Sequence, residues 1–352
     1  MLSNYAGQKV FKGDSLVACA IVYTDFRFYP MACVARSSFQ YHHPDVNTFL
    51  VGPDQLPFFQ RSLIGYVSGE SWGIGATKYS VAAQIKAMGY RKVICLGADT
   101  ITFARLDEFM DDDIADVLTS SDANNPLFQK LYFETHSMNG DNLVCGSANI
   151  AGIVSRNDMT DEYMHINADV ICFNDDIESY MAEENQTDSS ELRLVRQPSS
   201  SHPDNCFLAM FTCIFSVVTR AYSHLSLTYK EQGLLNLMLT PGDHGKELRE
   251  AFITRDQFHM YEPDFGTEHR DIIYDKWVEG SWRVNHVDLP YSSTDILYNI
   301  RSIYENDSDI SREELNKRVS KFYAKDNKIY NREDKQIKIL HLRDSITHLP
   351  LT

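Results

Sequence analysis

The sequence predicts an α/β fold, a Rossmann-like mixed sheet flanked by helices, and three observations carry it. Two continuous apolar runs, Leu16 to Tyr23 (LVACAIVY) and Val93 to Leu96 (VICL), read as buried strands. Between them a helically spaced segment and a third short apolar stretch form a strand-helix-strand unit. Glycine-bearing turns, Gly52-Pro53 and Gly97-Ala98-Asp99, close two of the strands.

Taken in order, the first strand ends at Thr24-Asp25, and Tyr29 to Tyr41 spaces Met31, Val34 and Phe39 as an imperfect amphipathic helix. Asn47 to Val51 restores a short strand. Ser68 to Gly75 (SGESWGIG) is a glycine-bearing loop with neither a phosphate-loop nor a dinucleotide fingerprint. The helix Thr77 to Met88 puts Val81, Ile85 and Met88 on one face and stops at Gly89. Lys78 lies in its first turn, where a cation opposes the helix dipole, so it is either a solvated lysine or a contact for a phosphate. The triple acid Asp111-Asp112-Asp113 suits a helix start and reads as structural, and Ile114 to Leu118 reads as a further strand.

Ser120 to Asn149 has weak periodicity and is expected to form loops that shape a substrate site. Tyr163 to Asn174 (YMHINADVICFN) reads as another strand, and Glu183 to Asn205 as a mobile insertion or lid rich in Ser, Asn, Gln and acids. Cys206 to Val218 is a buried strand or helix. Tyr229 to Leu239 is a helix anchored by Leu234, Leu235, Leu237 and Met238. Thr240 to Tyr291 is aromatic and turn-rich, with Trp277, Trp282, His286 and Pro290. Ser311-x-x-Glu314 is a capping box opening a helix whose Leu315, Val319 and Phe322 share a face. Residues 1–300 are expected to be one catalytic domain, with 183–205 inserted in it, and 301–352 a helical, basic extension packing back on it.

At 352 residues, 43% hydrophobic and 23% charged, the composition is that of a soluble globular chain. Seven cysteines, mostly inside apolar runs, suggest reduced, buried thiols and a cytoplasmic protein. The amino-terminal stretch lacks the apolar core of a signal peptide, and the longest apolar run is too short to span a bilayer. A formal charge of −16 opposes global attraction to nucleic acid or anionic lipid. The charge is nonetheless segregated. Ile310 to Arg343 holds ten Lys or Arg against five Asp or Glu, while Asp158 to Glu191 holds eleven acids and no base. The basic tail is either a solvated surface or a meeting place for phosphates.

Asp99 follows the central strand at its carboxyl end, where open α/β sheets bind their ligands. From its place alone it is as suited to capping the next turn as to chemistry. Three motifs in order extend the reading. The first is Leu96-Gly97-Ala98-Asp99-Thr100 followed by Leu106-Asp107-Glu108-Phe109; the second is Asn167-Ala168-Asp169-Val170; the third is Glu231-Gln232-Gly233-Leu234-Leu235-Asn236. Together they resemble the family 8 glycosyltransferases of the GT-A fold, and Lys338 to Arg343 (KILHLR) is similar to that family's late His motif. The chain departs from the family pattern at Gly97, which replaces the first Asp of an Asp-x-Asp pair, at Asp169, where Gly is usual, and at Gly233.

The resemblance implies a GT-A-type sheet and retaining transfer from a UDP-sugar to an acceptor hydroxyl on a glycan, a protein or a hydroxylated DNA base. It implies Mn2+ or Mg2+ held by Asp99 and His341, a hard oxygen and imidazole set. With Gly97 in the first Asp position, an ion would bind only together with the nucleotide, or Lys78 and Arg343 would supply the positive charge instead. It further places Thr24, Asp25, Lys78, Asp99, Asn167 and Arg343 against the donor, and Asp169, Glu231 and Gln232 at the sugar as the catalytic polar groups. Two other readings stay open, a non-catalytic sugar-nucleotide or glycan-binding protein and a sugar-phosphate nucleotidyltransferase. The second lacks its glycine-rich basic loop, since TDFRFYP follows the first strand.

Overall fold

The computed structural model describes residues 16–23, 26–52, 78–79, 81–83, 85–86, 90–111, 115–121, 144–145, 148–149, 166–174, 207–221, 230–240, 242–261, 267–280, 282–287, 291–293, 322–326, 328–331, 334 and 336–341. The fold is α/β, built on a mixed six-stranded sheet with strands β1 (Val17–Val22), β2 (Asn47–Val51), β3 (Lys92–Gly97), β5 (Val117–Ser121), β8 (Ile166–Phe173) and β9 (Val284–Val287) in the order β2-β1-β3-β8-β5-β9. β2, β1 and β3 run parallel, β8 runs antiparallel to both β3 and β5, and β9 is parallel to β5, while β6 (Val144–Cys145) and β7 (Ala148–Asn149) pair antiparallel as a separate ribbon.

Side chains alternate across this sheet, and both faces are covered. Ala18, Ala20, Val93, Cys95, Ile171 and Phe173 face one core, while Cys19, Ile21, Ile94, Leu96, Val170 and Cys172 face the other. Burial on both faces is why these strands are continuous apolar runs rather than alternating ones. The second core is closed by α1 (Tyr29–His42), which buries Ala32, Ala35 and Phe39, and by the short α3 (Asp107–Asp111), which buries Phe109. The first is closed by the α2 residues 78–79, 81–83 and 85–86, by α4 (Phe207–Ala221) and by α5 (Lys230–Leu239).

The open reading of Cys206 to Val218 resolves as a helix. Phe207, Phe211 and Phe215 recur every four residues and are all buried; Phe207 tilts against Phe211, Phe211 stacks on Phe215, and Tyr79 of α2 stacks on Phe211 at 3.9 Å between ring centroids. Each such ring removed from water contributes roughly 1.5–3 kcal/mol, so this aromatic spine is a main tie between α4 and the sheet. On α5, Leu234, Leu235, Leu237 and Met238 are buried as expected.

Three expectations are corrected. Thr240 to Tyr291 is largely helical rather than turn-rich, with α6 (Gly242–Phe252), α7 (Arg255–Tyr261) and α8 (Thr267–Glu279), and Trp277 is buried core. Its glycines mislead because Gly245 lies inside a helix where a Cβ would strike the Thr240 carbonyl and approach Arg249 Nη1 at 2.9 Å. The strand expected from Ile114 begins at Val117; Asp111 is the last residue of α3, and Asp112 and Asp113 lie outside the described residues. Finally, Phe322 opens β11 (Phe322–Lys325) of a hairpin with β12 (Lys328–Asn331), not the last turn of a helix. The helix expected from Ser311 lies outside the described residues, as do Ser68 to Gly75 and the insertion 183–205. The described part of the carboxyl-terminal extension is therefore strand. Its β13 (Ile339–His341) packs back on the body in a small sheet, between β10 (Tyr291–Ser293) and β4 (Thr100–Thr102).

Among the described residues no helix is long and apolar enough to cross a membrane. Cys19, Cys95 and Cys172 are buried, and burial pushes the Cys19 and Cys95 thiols up.

Candidate metal and donor site

The site forms where three strands bring their ends together. β3 stops at Gly97, and Thr100 Oγ1 donates to the Gly97 carbonyl at 2.8 Å, closing the turn that presents Asp99. β4 then pairs antiparallel with β13, with His341 directly across from Thr100. Lys338 Nζ pairs with Glu108 of α3 at 2.6 Å, and Phe103 N–H donates to the Lys338 carbonyl at 2.7 Å, fixing that register. From the other side, β8 lies antiparallel to β3, and one step beyond the last paired residues, Leu96 and Val170, Asp169 faces Gly97.

The outcome is a cluster of two carboxylates and one imidazole. His341 Nε2 lies 3.1 Å from Asp99 Oδ2 and 3.5 Å from Asp169 Oδ2. The three residues each offer a ligand atom within 4.8 Å of the others. His341 is 5% exposed, so its imidazole is fixed by the core. Hard cations with ligands at about 2.1 Å place neighbouring donors about 3 Å apart, which the separations approach. The donor set, oxygen with one nitrogen, suits Mn2+ and Mg2+ better than a thiophilic ion. Gly97 leaves the space: a Cβ there would sit 2.8 Å from Asp99 Oδ1 and 2.9 Å from Asp169 Cβ. These residues fit a divalent cation.

Lys78 stands beside this cluster. Its ammonium donates to Asp169 Oδ1 at 2.8 Å and to the Ala168 carbonyl at 3.2 Å, with the side chain only 15% exposed. The first-turn lysine thus has its charge answered by a carboxylate of the neighbouring strand. The cluster stands at the carboxyl end of β3, beside that of β1, where Val22 pairs with Gly97. There Tyr23 lies against Gly52 and meets Tyr29 at 5.7 Å between centroids.

Of the residues singled out from sequence, the structure brings Asp99, Asp169, His341 and Lys78 together. Asn167 is on β8, two residues before Asp169, and Glu231 and Gln232 are on α5, which packs against β8. Thr24, Asp25 and Arg343 lie outside the described residues. Sequence reasoning placed Asp169 at the sugar and missed it as a partner of Asp99 and His341. The signal was present in two departures noted separately, a carboxylate absent at 97 and one added at 169.

No family model matches the chain, and no curated protein does. Solved structures do. An active-site mutant of LgtC shares 13% identity over 92% of this chain and 86% of that one, with a TM-score of 0.34. LgtC is a galactosyltransferase. The apo bifunctional glycosyltransferase WbbM gives 15% identity and a TM-score of 0.40 over 95% of this chain, which spans about half (46%) of that protein. Mouse xyloside xylosyltransferase 1 gives 9% identity over 92% and 97% of the two chains, with a TM-score of 0.37.

Proposed function

We infer that the protein is a metal-assisted glycosyltransferase that moves a sugar from a UDP-sugar to an acceptor hydroxyl with retention at the anomeric carbon. The observation that supports this most is the Asp99, Asp169 and His341 cluster at the carboxyl end of β3, reached from three separate parts of the chain. Such a crevice is where an α/β sheet meets its ligand. The order of the sequence motifs carries the sugar-nucleotide part of the reading.

Transfer requires the acceptor oxygen to bond the anomeric carbon while the bond from that carbon to the diphosphate breaks. The bonding pair leaves with the diphosphate, and the acceptor proton passes to it. A divalent cation bound at the cluster would supply Lewis-acid charge for the departing oxygens. Asp99, Asp169 and His341 would hold it, and the motif resemblance assigns Thr24 and Asp25 to the uridine and Arg343 to the diphosphate. The same resemblance assigns Asn167, Glu231 and Gln232 to binding and orienting the sugar. The acceptor is a hydroxyl of a glycan, a protein or a modified DNA base, and the working compartment is the cytoplasm. A non-catalytic binder is suggested by the acids missing at positions 233 and 97. Asp169 supplies a carboxylate at that corner, which favours the enzyme.

The test is thermal stability against a panel of UDP-sugars with and without Mn2+, followed by assay of free UDP. Binding raises the melting temperature by mass action. A metal-dependent rise with one donor, with UDP released slowly in water and lost in Asp99→Ala, is expected. No shift with any nucleotide sugar would sink the reading.

A further inference from the structure

We propose that Lys78 is an internal counter-cation of the metal cluster, a positioning residue that keeps the site weak for a bare divalent ion and makes uptake of the ion depend on a diphosphate. This rests on the cluster being a metal site and extends it to a residue that holds no ion itself.

Asp169 divides its two oxygens between two partners. Oδ1 accepts from the Lys78 ammonium at 2.8 Å, and Oδ2 lies 3.5 Å from His341 Nε2 on the side of the cluster. Lys78 is further held by the Ala168 carbonyl at 3.2 Å, and its side chain is 15% exposed, so this charge is not free to swing into water. Among the described residues of the cluster, with a neutral imidazole, as a metal-binding His must be, the two carboxylates and the ammonium sum to a single net negative charge. A divalent cation entering that site alone meets a carboxylate pair whose charge the Lys78 ammonium already offsets in part, in half-buried surroundings where water screens less than in bulk. A diphosphate brings the missing negative charge. Lys78 therefore sets Asp169 in its rotamer and subtracts from its charge in one contact, and the ion and the diphosphate bind as a pair.

The experiment is titration of the full chain with Mn2+, read by the loss of the free-ion electron paramagnetic resonance signal, without and with UDP. In Lys78→Met, affinity for Mn2+ alone is expected to rise about tenfold, and the gain in Mn2+ affinity on adding UDP to shrink by a similar factor. Lys78→Arg keeps the charge and is expected to behave as the wild type. Lys78→Gln, with folding checked by its melting transition, serves if the methionine variant does not fold. Unchanged or weaker Mn2+ binding in both neutral variants, with UDP binding lost, would assign Lys78 to the diphosphate and overturn the proposal. Absence of Mn2+ binding in the wild type, with or without UDP, would overturn the metal site itself, a separate failure.

Discussion

Gly97 and Asp169 face each other across β3 and β8 so closely that a Cβ on residue 97 would lie 2.9 Å from the Asp169 Cβ and 3.1 Å from its Cγ. Only one of the two positions can carry a side chain, and the carboxylate is on the second. Gly97→Asp should therefore weaken Mn2+ binding despite adding an acid, because the new group pushes on Asp99 and Asp169 together. Asp169→Gly should weaken it by loss of a ligand. The double change opens the space it fills and should recover at least about tenfold over either single variant, a coupling of the size seen for touching residues. Isothermal titration with Mn2+ in the presence of UDP measures it, and strict additivity would show that the two positions do not exchange roles.

His341 reaches the cluster only because β13 pairs with β4. Losing an outer partner of a metal ligand costs about 10–100-fold in affinity, so His341→Ala, which removes a ligand, should exceed that. The core around Ile339 and Leu340 is untouched, and the melting temperature without metal should move little. A variant that binds Mn2+ like the wild type would remove His341 from the site.

The strands that position the site were legible because they are buried on both faces, which leaves unbroken apolar runs through β1, from Val93 to Leu96 in β3 and from Val170 to Phe173 in β8. Asp99 and His341 were legible through their motifs. The Asp169 role was not, because it depends on which residue of β8 stands beside Gly97, and strand pairing between segments about seventy residues apart leaves no local pattern. The helices α6 to α8 were misread for a related reason. Gly242, Gly245 and Gly280 look like breakers, yet two of the three make room for one buried side chain, Arg249.

That side chain joins two helix ends. Arg249 is fully buried and donates to the carbonyls of Leu237 and Thr240 at the end of α5 and of Val278 and Glu279 at the end of α8, at 2.6–3.2 Å. It thereby satisfies carbonyls that a helix cannot satisfy itself. Burial pulls its guanidinium down to about 10, so it stays charged at neutral pH. Arg249→Met should cost at least about 3 kcal/mol in denaturant unfolding, since several buried acceptors lose a charged donor. Gly280→Ala should also destabilise, because residue 280 has φ +58° and its Cβ would sit 2.5 Å from the Arg249 Cζ. A loss under about 1 kcal/mol for Arg249→Met would mean that water replaces the guanidinium, against its burial.

Acid should weaken the fold through His43. Its ring is buried, stacks on Phe39 at 4.4 Å between centroids, and its Nε2 accepts the Leu106 N–H at 3.0 Å. Burial, aided by the charge of Arg105, holds the imidazole down at about 4, although Asp45 and Asp107 pull the other way. A base whose folded value lies below its unfolded value of about 6.5 binds its proton more readily in the unfolded chain. The contribution is therefore fully present above about pH 6.5 and is lost as the pH falls from there towards 4, a total of about 3 kcal/mol. Denaturant midpoints between pH 7 and pH 4 should fall in the wild type and fall less in His43→Phe, which starts lower because Leu106 N–H loses its acceptor. Equal slopes in the two proteins would place the acid sensitivity elsewhere.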